Sequence, residues 1–127
     1  MDGEISPDRV ADLLTSEEPV TIVDVSEPVE FEVGHLPDSV NVPLSQLPQE
    51  IDRFDGADRI VTVCPRGEAS VQAARLIAAY EGTADATIES MAGGIEAWEG
   101  ELVSGMSHDD GDSADAENAD ADDAVGD

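Results

Sequence analysis

Two short runs of β-branched residues constrain the fold of this chain most strongly. Residues 20–25 read VTIVDV and residues 60–63 read IVTV, with little of the polar alternation that a strand with one wet face shows. Such runs are typical of strands buried on both faces of a parallel sheet. Each is followed by a turn and then by apolar residues at helical spacing. Because parallel neighbours need a crossover connection, usually a helix, the pattern predicts an α/β fold with a mostly parallel sheet.

Local signals predict the other elements. Ser6, Pro7 and Asp8 mark a helix start, because serine is a good N-cap and proline suits the first helical position. In chain order, the predicted elements around the two runs are a helix from residue 7 to about 17, a short helix at 28–33 that stops at Gly34, a strand at 39–42, a helical stretch at 44–54 interrupted by Pro48, a helix from 71 to about 82, a strand at 86–89 and a short helix at 95–98.

The single cysteine follows a predicted strand, at the edge where such folds bind ligands. Cys64 comes directly after the second run, and residues 64–70 (CPRGEAS) join that strand to a helix. Open α/β sheets bind ligands beyond the carboxyl ends of their strands. The loop N–H groups and the helix dipole would favour a thiolate, so Cys64 is a candidate nucleophile and persulfide carrier. The alternative is a small buried apolar residue at a strand end.

Two charged side chains lie in the same loop. Arg66 would raise the local positive potential and orient an anionic substrate, whereas Glu68 opposes it. The alternative is that both are ordinary solvated surface residues.

Three stretches together resemble the single-domain rhodanese (sulfurtransferase) family over about residues 4–102. Residues 22–37, which contain IVDVSEP, EF and GHLP, are similar to the family's IDVRE-E-GHIP segment. Residues 64–70 are similar to its C-x-x-G-x-R-S loop, and residues 93–98 (GGIEAW) are similar to its GG-x-x-W ending. Each stretch alone is a weak signal, but the three in this order are specific.

The resemblance implies a rhodanese-like, five-stranded, mainly parallel sheet flanked by helices. It also implies that Cys64 takes sulfur from a small donor, thiosulfate or a persulfide, and passes it to a thiol or protein acceptor. The backbone of the loop after Cys64 would hold the persulfide, and the residues of this loop are Pro65, Arg66, Gly67, Glu68, Ala69 and Ser70.

Two further residues receive supporting roles from the resemblance. Asp24, near the end of the first β-branched run, would be the family's buried carboxylate that helps hold the active-site region together. The alternative for Asp24 is a helix-capping residue without a chemical role. His35 matches the histidine of the family's GHIP segment, which is more often structural than catalytic.

The chain departs from the family pattern at two cationic positions. The arginine after Asp-Val is replaced by Ser26, and the loop arginine five residues after the cysteine is replaced by Ala69. Such cations help to bind small anions, so we expect weak activity on thiosulfate and favour a protein persulfide as the physiological donor. Phosphatases and arsenate reductases of the same fold need an arginine at the position of Ser70, which argues against phosphoryl transfer.

Three functions remain open at this point. The first is a sulfurtransferase in which Cys64 cycles between thiolate and persulfide. The second is a sulfur-carrier or binding module in a relay, such as tRNA thiolation or molybdenum-cofactor synthesis. The third, an inactive interaction domain, is disfavoured because the cysteine is retained. A single cysteine excludes an internal disulfide and a Cys-only zinc site, and we predict neither a metal site nor a cofactor.

Acidic residues dominate the charge of the chain. It has 31 Asp and Glu against five arginines and no lysine, a formal net charge of −26, so direct binding of nucleic acid by charge is not expected. Residues 1–100 contain 21 of the acids and all the arginines, and the last 27 residues contain the other ten acids. We therefore predict a rhodanese-like domain at 1–103 and a disordered acidic tail at 104–127.

No apolar run approaches the roughly 20 residues of a membrane span, and the first ten residues, MDGEISPDRV, lack a basic and an apolar region for secretion. The sequence therefore predicts a cytoplasmic protein that does not enter membranes. Its oligomeric state is not predicted.

The charge of residues 1–100 leads to a prediction about salt. A net charge of −16 on a domain of this size is self-repelling in dilute buffer and is screened in concentrated salt, as in the cytoplasm of a salt-accumulating halophile. We expect the Tm of the protein to rise as KCl is raised from about 0.1 M to about 3 M, measured by circular dichroism. An acidic surface made for a basic partner would instead give a Tm that changes little with salt.

Overall fold

A parallel sheet of five strands forms the centre of the computed structural model, which describes residues 3–105. The strand order is β1-β5-β4-β2-β3, and each of the four pairings is parallel. This confirms the predicted α/β class with five strands. The strands are β1 (Glu4–Ile5), β2 (Thr21–Asp24), β3 (Val40–Asn41), β4 (Arg59–Val63) and β5 (Thr87–Met91).

Within residues 3–105, four α-helices and three short 3-10 helices connect the strands, and a fourth 3-10 helix follows β5. The α-helices are α1 (Pro7–Thr15), α2 (Pro28–Val33), α3 (Leu47–Glu50) and α4 (Ala69–Ala78). The 3-10 helices are Leu44–Gln46, Ile51–Phe54, Glu81–Thr83 and Ile95–Ala97. The stretch predicted at 44–54 is thus three short segments, and Pro48 lies in the first turn of α3, where a missing N–H breaks no helical hydrogen bond.

Strand β1 was not predicted from local pattern. The sequence marks Ile5 only as the residue before a helix start, yet Glu4 and Ile5 pair with Ser90 and Met91 of β5. A two-residue strand carries no periodicity, and its partner lies at the other end of the domain. The helix start itself is confirmed, because the Ser6 hydroxyl accepts the N–H of Arg9 at 3.2 Å.

Both faces of the sheet are covered, which explains the unbroken β-branched runs. Neighbouring residues of β4 point to opposite faces, so Ile60 packs in one core cluster and Val61 in the other. Helix α4 covers the Ile60 face with Ala73, Ala74 and Ile77. Helix α1 covers the Val61 face with Val10 and Leu13. Helices on both faces of a parallel sheet leave its carboxyl edge as the open side for a site.

The described chain ends beside α2, where the Gly105 N–H donates to the carbonyl of Glu32 at 2.9 Å. Val103 and His35 exchange two backbone hydrogen bonds of 2.8 Å in an antiparallel bridge. Almost all of the predicted acidic tail at 104–127 lies outside the described residues. Within residues 3–105, no helix combines the length and the apolar character needed to cross a bilayer.

Candidate active site

Cys64 lies at the carboxyl end of β4, with its sulfur turned into the loop that leads to α4. The residue is 2% exposed. Its Sγ accepts the N–H of Gly67 at 3.0 Å and the N–H of Ser70 at 3.3 Å. Hydrogen bonds from N–H donors to sulfur stabilise negative charge there. Cys64 is therefore buried, as expected for a small apolar residue at a strand end. Its sulfur also accepts two N–H groups, which an apolar site would not provide.

A pair of glycines holds the loop in this shape. Gly67 has a φ of +91°, and Gly94 has a φ of +69°. The two turns pack backbone to backbone, so that a Cβ on Gly94 would lie 2.5 Å from the nitrogen of Gly67 and 2.6 Å from that of Arg66. Behind this contact, the Ile95 N–H donates to the carbonyl of Cys64 at 2.8 Å. The GG motif thus supports the cysteine loop directly.

Three buried hydroxyl groups fix the other end of the loop. The Thr62 hydroxyl donates to the carbonyl of Ser70 at 2.7 Å, and the hydroxyls of Ser70 and Ser90 are 2.8 Å apart. All three residues are fully buried. They tie the first turn of α4 to β4 and β5, and so hold the Ser70 N–H against the sulfur. Sequence reasoning missed Thr62 and Ser90; the available signal was a polar residue inside each of two buried strands.

The remaining loop residues form no hydrogen bond with the sulfur. Pro65 has no N–H, and its carbonyl accepts the N–H of Glu96 at 3.0 Å. Arg66 and Glu68 are exposed, and Arg66 forms no ion pair with another residue in the described part of the chain. Ala69 is the first residue of α4. Of the six predicted loop residues, two therefore donate to the Sγ of Cys64.

Asp24 is fully buried at the end of β2 and stabilises a turn. Its Oδ1 accepts the N–H of Ser26 at 2.9 Å, whereas its Oδ2 has no partner among the described residues. Asn41 holds the same turn by donating to the carbonyls of Asp24 and Ser26, both at 3.0 Å. The N-cap of α2 is Glu27, so Asp24 does not cap this helix. Burial raises the pKa of Asp24, and its contacts with Ser26 offset this only in part.

His35 is also fully buried and has structural contacts. Its Nδ1 lies 2.7 Å from the carbonyl of Phe31, and the two rings stack with centroids 3.7 Å apart. With the bridge to Val103, these contacts connect α2 to the end of the described chain. An electrostatic interaction with His35 lowers the pKa of Asp24, so the two predicted supporting residues do lie in one region. They do not contact the sulfur of Cys64 through any hydrogen bond.

A pocket of about 320 Å³ borders the cysteine loop on the side of α2. Its apolar lining comes from Val33, Pro65, Ile95 and Leu102. Its volume is at the lower end of the range for small-molecule sites. Within the same described residues, no three His, Cys, Asp or Glu side chains are grouped so as to hold a metal ion.

Comparisons with a family profile and with individual relatives identify the same family. The Rhodanese-like domain profile matches residues 6–101. The putative sulfur carrier protein YrkF of Bacillus subtilis (strain 168) is 33% identical over 72 residues, which are 57% of this chain and 39% of YrkF. The thiosulfate sulfurtransferase GlpE of Pseudomonas syringae pv. syringae (strain B728a) is 34% identical over 82 residues, 65% of this chain and 74% of GlpE.

Solved structures share the fold. A rhodanese-like domain protein from Staphylococcus aureus superposes with a TM-score of 0.69 at 27% identity, covering 82% of this chain and 98% of that protein. The chain therefore spans nearly the whole of one such structure, but well under half of YrkF.

The glycine contact gives a prediction with a matched control. Gly56 has a φ of +76° like that of Gly94, but nothing lies within 4 Å of a Cβ placed on it. Gly56→Ala should cost about 1 kcal/mol from backbone strain alone. Gly94→Ala should cost about 1–3 kcal/mol more, because its Cβ overlaps the loop backbone. Urea unfolding measures both, and equal losses in the two variants would contradict the proposed support of the loop.

The raised pKa of Asp24 gives a prediction about pH. The folded chain binds this proton more tightly than the unfolded chain, where the ordinary value is 3.8. Stability from Asp24 is therefore present below that value and is lost as pH rises through the raised pKa. Asp24→Asn removes the titration, so the unfolding free energy of the variant minus that of the wild type should increase from about pH 4 to about pH 7. A difference that is constant with pH would contradict the assignment.

Proposed function

Because the chain belongs to the rhodanese-like family, we propose that it is a sulfurtransferase that moves sulfane sulfur through a persulfide on Cys64. The donor is thiosulfate or a persulfide, and the acceptor is a thiol. One observation carries the proposal: the Sγ of Cys64, at the carboxyl edge of a parallel sheet, accepts two backbone N–H groups from its own loop. A buried apolar cysteine needs no such donors.

The transfer has two steps at one sulfur atom. The Cys64 thiolate attacks the outer sulfur of the donor, the donor's S–S bond breaks, and its electron pair leaves on sulfite or on a thiolate. Cys64 then holds a persulfide. An acceptor thiolate attacks the outer sulfur of this persulfide, and the Cys64 thiolate is released with the electron pair of the broken S–S bond. The N–H groups of Gly67 and Ser70 stabilise the anionic sulfur at the start and the end of the cycle.

Rigid support of the loop is what this chemistry requires. Donors that are already aimed at the charge cost no reorganisation when the charge forms. In this chain the contact between Gly67 and Gly94 holds one N–H, and the Thr62 and Ser90 hydroxyls hold the other through Ser70. Asp24 and His35 do not bind the sulfur and act indirectly, because they hold the neighbouring turn and α2 in place.

The charges around the loop favour a persulfide over thiosulfate as the donor. Ser26 and Ala69 occupy the positions at which the family commonly has arginine, and Arg66 is exposed. A dianion such as thiosulfate gains most from fixed guanidinium groups. A relative carries the name thiosulfate sulfurtransferase, so the preference of this chain would be a difference within its family.

A sulfur-carrier role is the second candidate. It is supported by the same missing cations, which would make turnover of small donors slow, and by a relative named as a putative sulfur carrier. In that role Cys64 holds the persulfide until a partner protein supplies the acceptor, as in a relay for tRNA thiolation or molybdenum-cofactor synthesis.

The persulfide can be tested directly, because Cys64 is the only cysteine of the chain. We expect incubation with a persulfide donor to add one sulfur atom to the protein, and cyanide or dithiothreitol to remove it, as seen by intact-mass spectrometry. Cys64→Ser should add none, since a hydroxyl does not form a persulfide. The samples are kept in molar KCl, and circular dichroism verifies the fold.

One result would overturn the proposal that Cys64 carries sulfur, and another would overturn the proposal that it transfers sulfur. If folded wild-type protein gains no sulfur from thiosulfate or from any persulfide, Cys64 does not carry sulfur. If sulfur loads but passes equally slowly to free thiols and to every partner protein tried, the transfer role is wrong. Fast loading with slow release to free thiols, and fast release to a partner, identifies the carrier role.

A further inference from the structure

The pocket beside Cys64 is placed to hold whatever brings sulfur to it. Pro65, the residue after Cys64, and Ile95, whose N–H binds the carbonyl of Cys64, both line the pocket. Val33 and Leu102 add apolar side chains to its lining. A molecule with a short apolar arm can lie here with one end at the loop that holds the sulfur.

Ser26 lines the pocket at a position where the family commonly has arginine. The residue is 3% exposed, and its buried hydroxyl lies against the Asp24 carboxyl, whose pKa this contact lowers. The position therefore gives the pocket a small neutral residue in place of a cation.

The charges at the pocket are all negative. Glu30 and Glu96 line it, and no arginine does. Glu30 also raises the pKa of the buried Asp24, which places a third carboxylate within electrostatic reach. The Oδ2 of Asp24 has no partner in the described part of the chain. A cation in the pocket would be attracted by these carboxylates, whereas an anion would be repelled.

We propose that this pocket is the specificity site for the sulfur donor, and that it selects small alkyl persulfides that carry an amine cation near the sulfur. The apolar walls hold the alkyl arm, and Glu30 and Glu96 attract the ammonium group. The proposal rests on the sulfur-transfer function of Cys64 and specifies its substrate class.

The step is the same S–S exchange for every donor. The Cys64 thiolate forms a bond to the outer sulfur of R–S–SH, the donor's S–S bond breaks, and R–S⁻ leaves with the electron pair. R–S⁻ then takes up a proton from solvent. No oxidant or reductant is consumed, because the sulfane sulfur keeps its oxidation level. The pocket acts only on the group R.

Three matched donors test the charge of R. The persulfides of cysteamine, 2-mercaptoethanol and 3-mercaptopropionate have the same two-carbon arm, which ends in an ammonium, a hydroxyl or a carboxylate group. Loading of Cys64 is followed by quenched mass spectrometry at one KCl concentration. Each rate constant is divided by that of the same donor with a free thiol in solution, which removes differences in leaving-group reactivity. We expect the cationic donor to exceed the anionic donor by about tenfold after this correction.

Two variants assign the preference to the pocket. Glu30→Gln combined with Glu96→Gln should lower the cation-to-anion ratio by about threefold or more. Glu17→Gln combined with Glu18→Gln is the matched control, because it changes the net charge equally at exposed residues before β2, at the opposite edge of the sheet. The control should keep the wild-type ratio.

The outcomes separate this inference from the function on which it rests. If all three donors load Cys64 at corrected rates that do not depend on charge, or if the Glu30 and Glu96 variant keeps the full ratio, the specificity site is wrong while sulfur transfer stands. If no donor loads folded protein, the proposed function itself is wrong.

Discussion

The cysteine loop depends on the close contact between two glycine turns. Gly94 meets the backbone of Gly67 and Arg66 at distances that leave no room for a Cβ. This contact, together with the hydrogen bond from Ile95 to the Cys64 carbonyl, keeps the N–H of Gly67 aimed at the sulfur. The segment after β5 therefore shapes the loop after β4. The segments after β4 and β5 lie side by side because these two strands pair in register.

Side-chain hydrogen bonds also hold the cysteine loop and the rest of the carboxyl edge of the sheet. Thr62 and Ser90 lie on paired strands, opposite each other in register, and both bind Ser70 at the start of α4. Their hydroxyls are buried and hydrogen-bonded. They therefore fix one position for the start of α4, which apolar packing alone would not specify. On the neighbouring strands β2 and β3, Asp24 and Asn41 fix the turn that leads to α2. The carboxyl edge of the sheet is thus held by side-chain hydrogen bonds, while its centre is held by apolar packing.

The sequence allowed the main architecture to be predicted, because buried strands and capped helices leave local patterns. The two β-branched runs became β2 and β4, and Ser6 caps α1 as expected. Strand β1 and the roles of Thr62 and Ser90 depend on partners far along the chain, which no local pattern reveals. The loop of Cys64 was found from its position after a strand, but which of its N–H groups reach the sulfur follows only from the fold.

The effect of an acidic residue on a bound molecule depends on where the residue lies. The chain has 31 acidic residues, and most of them affect a bound molecule only through the net charge. Glu30 and Glu96 differ because they line the pocket that borders the loop of Cys64. At about 1 M salt the screening length is about 3 Å, so a distant carboxylate contributes little there. Only charges in contact with the bound molecule retain their effect, which makes the pocket, rather than the overall charge, the determinant of which donor is accepted.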